Sequence, residues 1–164
     1  MKAPIKKIVL AVILSLSFLS PSPALSAASQ PIDFETLVKY INCGHIEKNN
    51  YVITNKEDWE ELWDKVVSRS FPRPAAPDVD FSKHSVIAVF QGNQSSSGYS
   101  ISVTRLVKSS KKLKVHVREV SPSDACVVLL VITQPFEIIL TDKIDYPEKV
   151  VFKVKHEITA CPQN

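Results

Sequence analysis

From Ser85 onward the chain reads almost without interruption as β-strand, and only one earlier segment carries a helical period. That distribution excludes an alternating βαβ plan and calls for an α+β domain. "SVIAVFQG" (Ser85–Gly92) is a near-continuous apolar run, suited to a central strand covered on both faces. "YSISVTRLV" alternates, with Tyr99, Ile101 and Val103 on one side and Ser100, Ser102 and Thr104 on the other. "KLKVHVREV" alternates too, placing Leu113, Val115 and Val117 inward and Lys112, Lys114, His116 and Arg118 outward. "KSSKK" between them is a hairpin turn. "CVVLLVI" (Cys126–Ile132) reads as another buried run, "PFEIIL" resumes it past Pro135, and "KVVFKVKHEI" closes the domain. The expected fold is α+β: a mainly antiparallel sheet of six to seven strands with one amphipathic helix packed on it.

The helix is expected from Asn55 to about Ser68. Trp59, Leu62, Trp63, Val66 and Val67 fall on one face. Thr54 with Glu57 forms a capping-box pattern, and the acidic first turn suits the positive end of the dipole. Both tryptophans are thus assigned to core packing; stacking on carbohydrate would need them exposed. "FPRPAAPDVD" (Phe71–Asp80) follows as a loop, because its prolines cannot continue a helix or a central strand. Upstream, Ser29–Phe34 reads as a loose arm, Thr36–Ile46 as a first strand and Tyr51–Ile53 as a short one.

Three lysines precede an apolar run, Ile8–Leu19, and small residues follow at Ala24–Ala28. This is a secretory signal peptide, residues 1–26, with cleavage expected after Ser26. The run is shorter than the roughly 20 residues of a membrane span. Residues 27–164 are then one domain of an exported protein, periplasmic or secreted. Of the 20 basic residues, those three lysines are removed, leaving 17 basic against 17 acidic. A formally neutral chain gives no reason to expect nucleic acid as a partner.

Cys43, Cys126 and Cys161 remain after cleavage, and disulfides are permitted outside the cytosol. Cys43 and Cys161 flank the domain and form the candidate bridge, with Cys126 a buried thiol; three buried thiols are the alternative. No CxxC occurs and the histidines are widely spaced, so neither a metal nor a cofactor is expected.

The loop "QGNQSSSGYSISV" (Gln91–Val103) holds two of the chain's three glycines. It has no lysine and no following helix, so it is not a phosphate cradle. It lacks GxSxG, so it is not a nucleophile elbow. The simplest reading joins two neighbouring antiparallel strands, with Gly92 and Gly98 relaxing the backbone at its shoulders. No catalytic constellation is found.

The run "VDFSKHSVIAVFQGNQSSSGYSISV", then Pro122, Cys126 and "TQPFEIIL", resembles the PrcB-type protease-complex subunit family. The likeness extends over a core of about Tyr51 to Leu140, where "VITNKEDWEELW" is also similar. Only Gly98 precedes Tyr99, where the family tends to have two glycines. The family is named for a secreted protein that associates with a protease. With no catalytic constellation found, the expected function is non-enzymatic binding of another protein, a protease or an envelope partner. The exposed loop residues Asn93, Gln94, Ser95, Ser96, Ser97 and Tyr99 are the candidate contact positions. Alternatives are a protease-inhibitor-like module and a small-ligand or polysaccharide-binding domain.

Overall fold

The computed structural model describes residues 29–109, 112–144 and 149–160; the signal peptide expected at residues 1–26 and Cys161 lie outside them. Eight strands and one helix follow in order. They are β1 (Gln30–Ile32), β2 (Phe34–Tyr40), β3 (Lys48–Ile53), α1 (Lys56–Val66), β4 (His84–Gln91), β5 (Ser100–Ser109), β6 (Lys112–Pro122), β7 (Phe136–Asp142) and β8 (Lys149–Thr159).

The strands form two four-stranded sheets, not one sheet of six or seven. The order is β2-β7-β4-β3 in the inner sheet and β1-β5-β6-β8 in the outer sheet. All pairings are antiparallel except β6 with β8, which is parallel. β4 and β5 fall in different sheets, so the loop between them crosses from one layer to the other and is no hairpin. Ser29–Phe34 is not a loose arm either, because β1 pairs with β5.

β4 shows why its sequence is apolar at every position. Val86, Ala88 and Phe90 face a core shared with α1, and Ile87 and Val89 face a second core against the outer sheet. The molecule thus has three layers: helix, inner sheet, outer sheet. On α1, Trp59, Leu62, Trp63 and Val66 are buried, as their spacing requires. The indole N–H of Trp59 donates to the Pro77 carbonyl and that of Trp63 to the Pro74 carbonyl, each at 2.9 Å. The proline-rich segment is thereby strapped over the helix, and both indoles satisfy their one donor while buried. The helix cap is Asn55, whose side chain accepts from the Asp58 amide at 2.8 Å. It displaces the Thr54 box by one residue; both types are good caps.

Two buried carboxylates tie the layers together. Glu137 of β7 accepts from the Val103 amide, from the Thr36 hydroxyl at 3.3 Å, and pairs with Lys39 at 3.3 Å. Val103 opens the β5 bulge, where the register shifts before Arg105. Glu119 of β6 meets Lys48 of β3 at 2.6 Å and His156 of β8 at 3.0 Å. A buried carboxylate needs such partners, since an unpaired charge away from water is costly.

The cysteine expectation is corrected by this arrangement. Cys43 is a free, buried thiol that donates to the His45 carbonyl at 3.3 Å, so it does not bridge to Cys161. It lies beyond β2, not within a first strand, and packs beside Trp59 and Val66 in the helix-side core. Cys126 is only half-buried and begins no strand.

Candidate functional site

The expected strand Cys126–Ile132 is the largest departure from the sequence reading. It is an irregular loop between β6 and β7, and all its aliphatic side chains except the half-buried Val128 stand in solvent. Val127 is fully exposed, Leu130 is 92% exposed and Leu129 72%; Val131 and Ile132 are exposed as well. An apolar run had implied burial, but a hydrophobic run records only that water is unfavourable to it. Either a core or a partner answers that requirement.

This segment is held firmly. Ser97 donates its amide to the Leu129 carbonyl at 2.9 Å, and its hydroxyl accepts from the Leu129 amide at 2.9 Å. Gln94 and Thr133 exchange backbone hydrogen bonds at 2.8 and 3.0 Å. The Thr133 hydroxyl donates to the Ser96 carbonyl at 2.9 Å, and the Gln134 side chain donates to Asn93 Oδ1 at 2.9 Å. At the tip, the Val131 amide donates to the Leu129 carbonyl at 2.9 Å, closing a three-residue turn around Leu130. No described non-glycine residue has positive φ, so this is the inverse form of the turn.

The loop singled out from sequence therefore has a bracing role. Asn93 and Ser95 are exposed, Gln94, Ser97 and Tyr99 are half-buried, and Ser96 is buried. Gly92 and Gly98 both take positive φ, 75° and 91°, which is where glycine is favoured. A Cβ on Gly92 would also sit 2.7 Å from the Lys48 amide nitrogen. The two glycines let the loop leave β4 and enter β5 while its polar atoms reach across to residues 129–134.

Neighbouring turns enlarge the apolar surface. The Ile41 carbonyl accepts from the Gln134 amide at 2.7 Å, and the Ile46 carbonyl accepts from the Asn93 amide at 3.0 Å. Tyr40 (63% exposed), Ile41 and Ile46 thus gather beside the braced loop at one end of the sandwich. No Asp, Glu, Lys or Arg interrupts residues 125–135. Beneath the patch, burial pushes the Cys43 thiol up to about 11 and holds His45 below its ordinary range. His45 stacks on Phe90 at 4.3 Å and meets the Tyr51 hydroxyl at 2.8 Å.

The sequence reading missed Val127, Leu129, Leu130 and Ile132 as surface residues. The available signal was the absence of period-two alternation, together with the turn formers Pro122, Ser123 and Asp124 before the run and Pro135 after it. Trp59 and Trp63, the aromatic basis for carbohydrate stacking, are buried at 2% and 7% exposure and do not serve a surface site.

Residues 85–142 match the family model described as PrcB C-terminal, which bears out the resemblance over that span. The match runs from β4 through β7 and so contains both the bracing loop and the apolar segment. No curated protein and no solved structure matches the chain.

Proposed function

We propose that this chain is an exported, non-catalytic binding domain that associates with a protease. Its contact surface is the apolar segment Val127–Ile132, with Tyr40, Ile41 and Ile46 around it. The observation that carries the reading is an uncharged aliphatic run held in solvent by hydrogen bonds at both ends. Contiguous exposed apolar surface of this kind marks interaction sites, and rigid presentation lowers the ordering cost of binding. A protease as the partner is supported by the PrcB C-terminal match, and export by the N-terminal charge and hydropathy pattern. The Ser96 hydroxyl donates to the Ser97 carbonyl and the Ser97 hydroxyl accepts from the Leu129 amide, which supports a bracing role for these two serines.

Affinity capture with the tagged full chain, expressed in its own organism, tests this. A protease recovered with the natural chain and lost with Leu129→Asp/Leu130→Asp supports the reading. Absence of any protease, or equal recovery by the variant, contradicts it.

A second reading is favoured by Leu130 alone, since an aliphatic side chain at the apex of a braced turn suits an apolar specificity pocket. Inhibition of the captured protease, relieved by Leu130→Asp, would select that reading; unchanged protease activity in the complex would select an accessory subunit.

A further inference from the structure

The solvent face of the outer sheet is a second surface, with different chemistry. Register aligns Arg105 of β5, His116 of β6 and Lys153 of β8 in one row across the sheet. The next row along holds Arg118 and Lys155, and the row on the other side holds Lys114. Paired residues in neighbouring strands share a face, so these cations project together. Spacing is about 4.8 Å between strands and about 6.8 Å between alternate residues of one strand.

The β5 bulge is what brings Arg105 here. Strict alternation from Ile101 and Val103 would turn position 105 inward, but the register shift leaves Thr104 and Arg105 exposed in succession and returns Leu106 to the core. Glu137 fixes that bulge from the inside by accepting the Val103 amide, and the Thr104 hydroxyl donates to the His116 carbonyl at 3.2 Å. The arginine is therefore positioned by a buried carboxylate and a backbone irregularity, not by chance on a regular strand.

Acidic compensation is sparse. Glu157 pairs with Lys155 at 3.0 Å and with Arg118 at 3.6 Å. Among the described residues no carboxylate lies within ion-pair distance of Arg105, Lys114 or Lys153. Desolvation, and after it the charges of Arg105, Lys114 and Lys153, hold His116 below its ordinary range. Arg105, Lys114 and His116 also line a shallow pocket of about 290 Å³, closed on one side by Pro31 of β1. On the opposite layer, α1 carries Glu57, Asp58, Glu60, Glu61 and Asp64 against Lys56 and Lys65, so the helix is net acidic where this face is net basic.

We propose that this face binds a linear anionic polysaccharide carrying repeated carboxylate or sulfate groups. Charge complementarity selects an anion. Among the described residues of these rows the only apolar side chains are Val107 and Val151, which argues against a folded protein, whose interfaces need a buried apolar centre. Among the described residues no Phe, Tyr or Trp lies in these rows, which argues against single-stranded nucleic acid, since that ligand stacks its bases. A chain of sugars with a charge on each unit or two needs only a ladder of cations, and the pocket receives one acidic substituent.

The experiment titrates the full chain with fluorescent heparin and polygalacturonate, alongside anionic vesicles and duplex DNA. Saturable glycan binding is expected, falling with salt at a log–log slope of about −3, since each ion contact contributes a little under one unit. Arg105→Gln/Lys153→Gln should weaken it at least tenfold with an unchanged thermal midpoint. Lys56→Gln/Lys65→Gln, the same charge change on the helix, should leave it within about twofold. Failure to bind either glycan at low salt overturns the proposal. So does equal weakening by the helix variant, or preference for vesicles or DNA over both glycans. Leu130→Asp should bind glycan normally, so loss of the apolar contact and loss of this face are separately visible.

Discussion

Ser97 and Leu129 hold each other twice, amide to carbonyl and amide to hydroxyl, at 2.9 Å each. One residue lies in a loop of small polar side chains and the other in an apolar segment 32 positions later. The pairing explains why an aliphatic loop keeps its shape in water instead of collapsing onto the sandwich.

Ser97→Ala removes the acceptor for the Leu129 amide. A typical net hydrogen bond is worth about 1 kcal/mol, so the thermal midpoint should drop by only a few degrees. Hydrogen exchange at Leu129 and Val131 should speed up clearly. Unchanged exchange at both amides would show that the segment is held by something else.

Trp59→Ala and Trp63→Ala should each destabilise the fold by about 3–5 kcal/mol, because each removes a buried ring and a donor that anchors the proline-rich segment. Chemical denaturation checks this. Losses within about 0.5 kcal/mol, the range of surface changes, would contradict the helix packing.

Cys43 should be silent to thiol reagents in the folded protein, being buried with its thiol raised to about 11. Unfolding without reductant should release one titratable thiol, and peptide mapping should place it at Cys43. We expect Cys126 to be disulfide-bonded, with Cys161 the remaining cysteine of the chain. The Cys126 sulfur lies 4.0 Å from the Thr159 carbonyl, at the strand end that leads toward position 161. A map that joins Cys43 to either other cysteine would be contrary to this account.

His45 carries a pH dependence of defined sign. Desolvation lowers its folded value below the ordinary 6.5, so the unfolded chain takes up the proton first. Stability is therefore full above about pH 6.5 and declines as pH falls from there through the folded value. Denaturation midpoints between pH 7.5 and 5 should show the decline, and His45→Phe should reduce it, leaving the part that His116 contributes with the same sign. A midpoint that rises on acidification would refute the assignment.

Legibility in the sequence followed periodicity. The α1 face and the doubly buried β4 were readable because each environment imposes its own pattern on consecutive residues. Sheet membership was not, since nothing local in residues 92–99 says whether β5 lies beside β4 or across from it. The apolar run 126–132 was misassigned because hydrophobicity alone does not distinguish a core from a docking surface. The cation stripe on β6 was legible as alternation, but its widening by Arg105 and Lys153 depends on a bulge and a parallel pairing that only the fold supplies.

The most direct measurement is the affinity of the captured protease for the full chain against Leu130→Asp. Because Leu130 is 92% exposed, the substitution should leave stability within about 0.5 kcal/mol. If Leu130 anchors the interface, the dissociation constant should rise by about 30-fold or more, the range of a hot-spot residue worth at least about 2 kcal/mol. An affinity unchanged within about twofold, with the fold intact, would contradict the assignment of this segment as the contact surface.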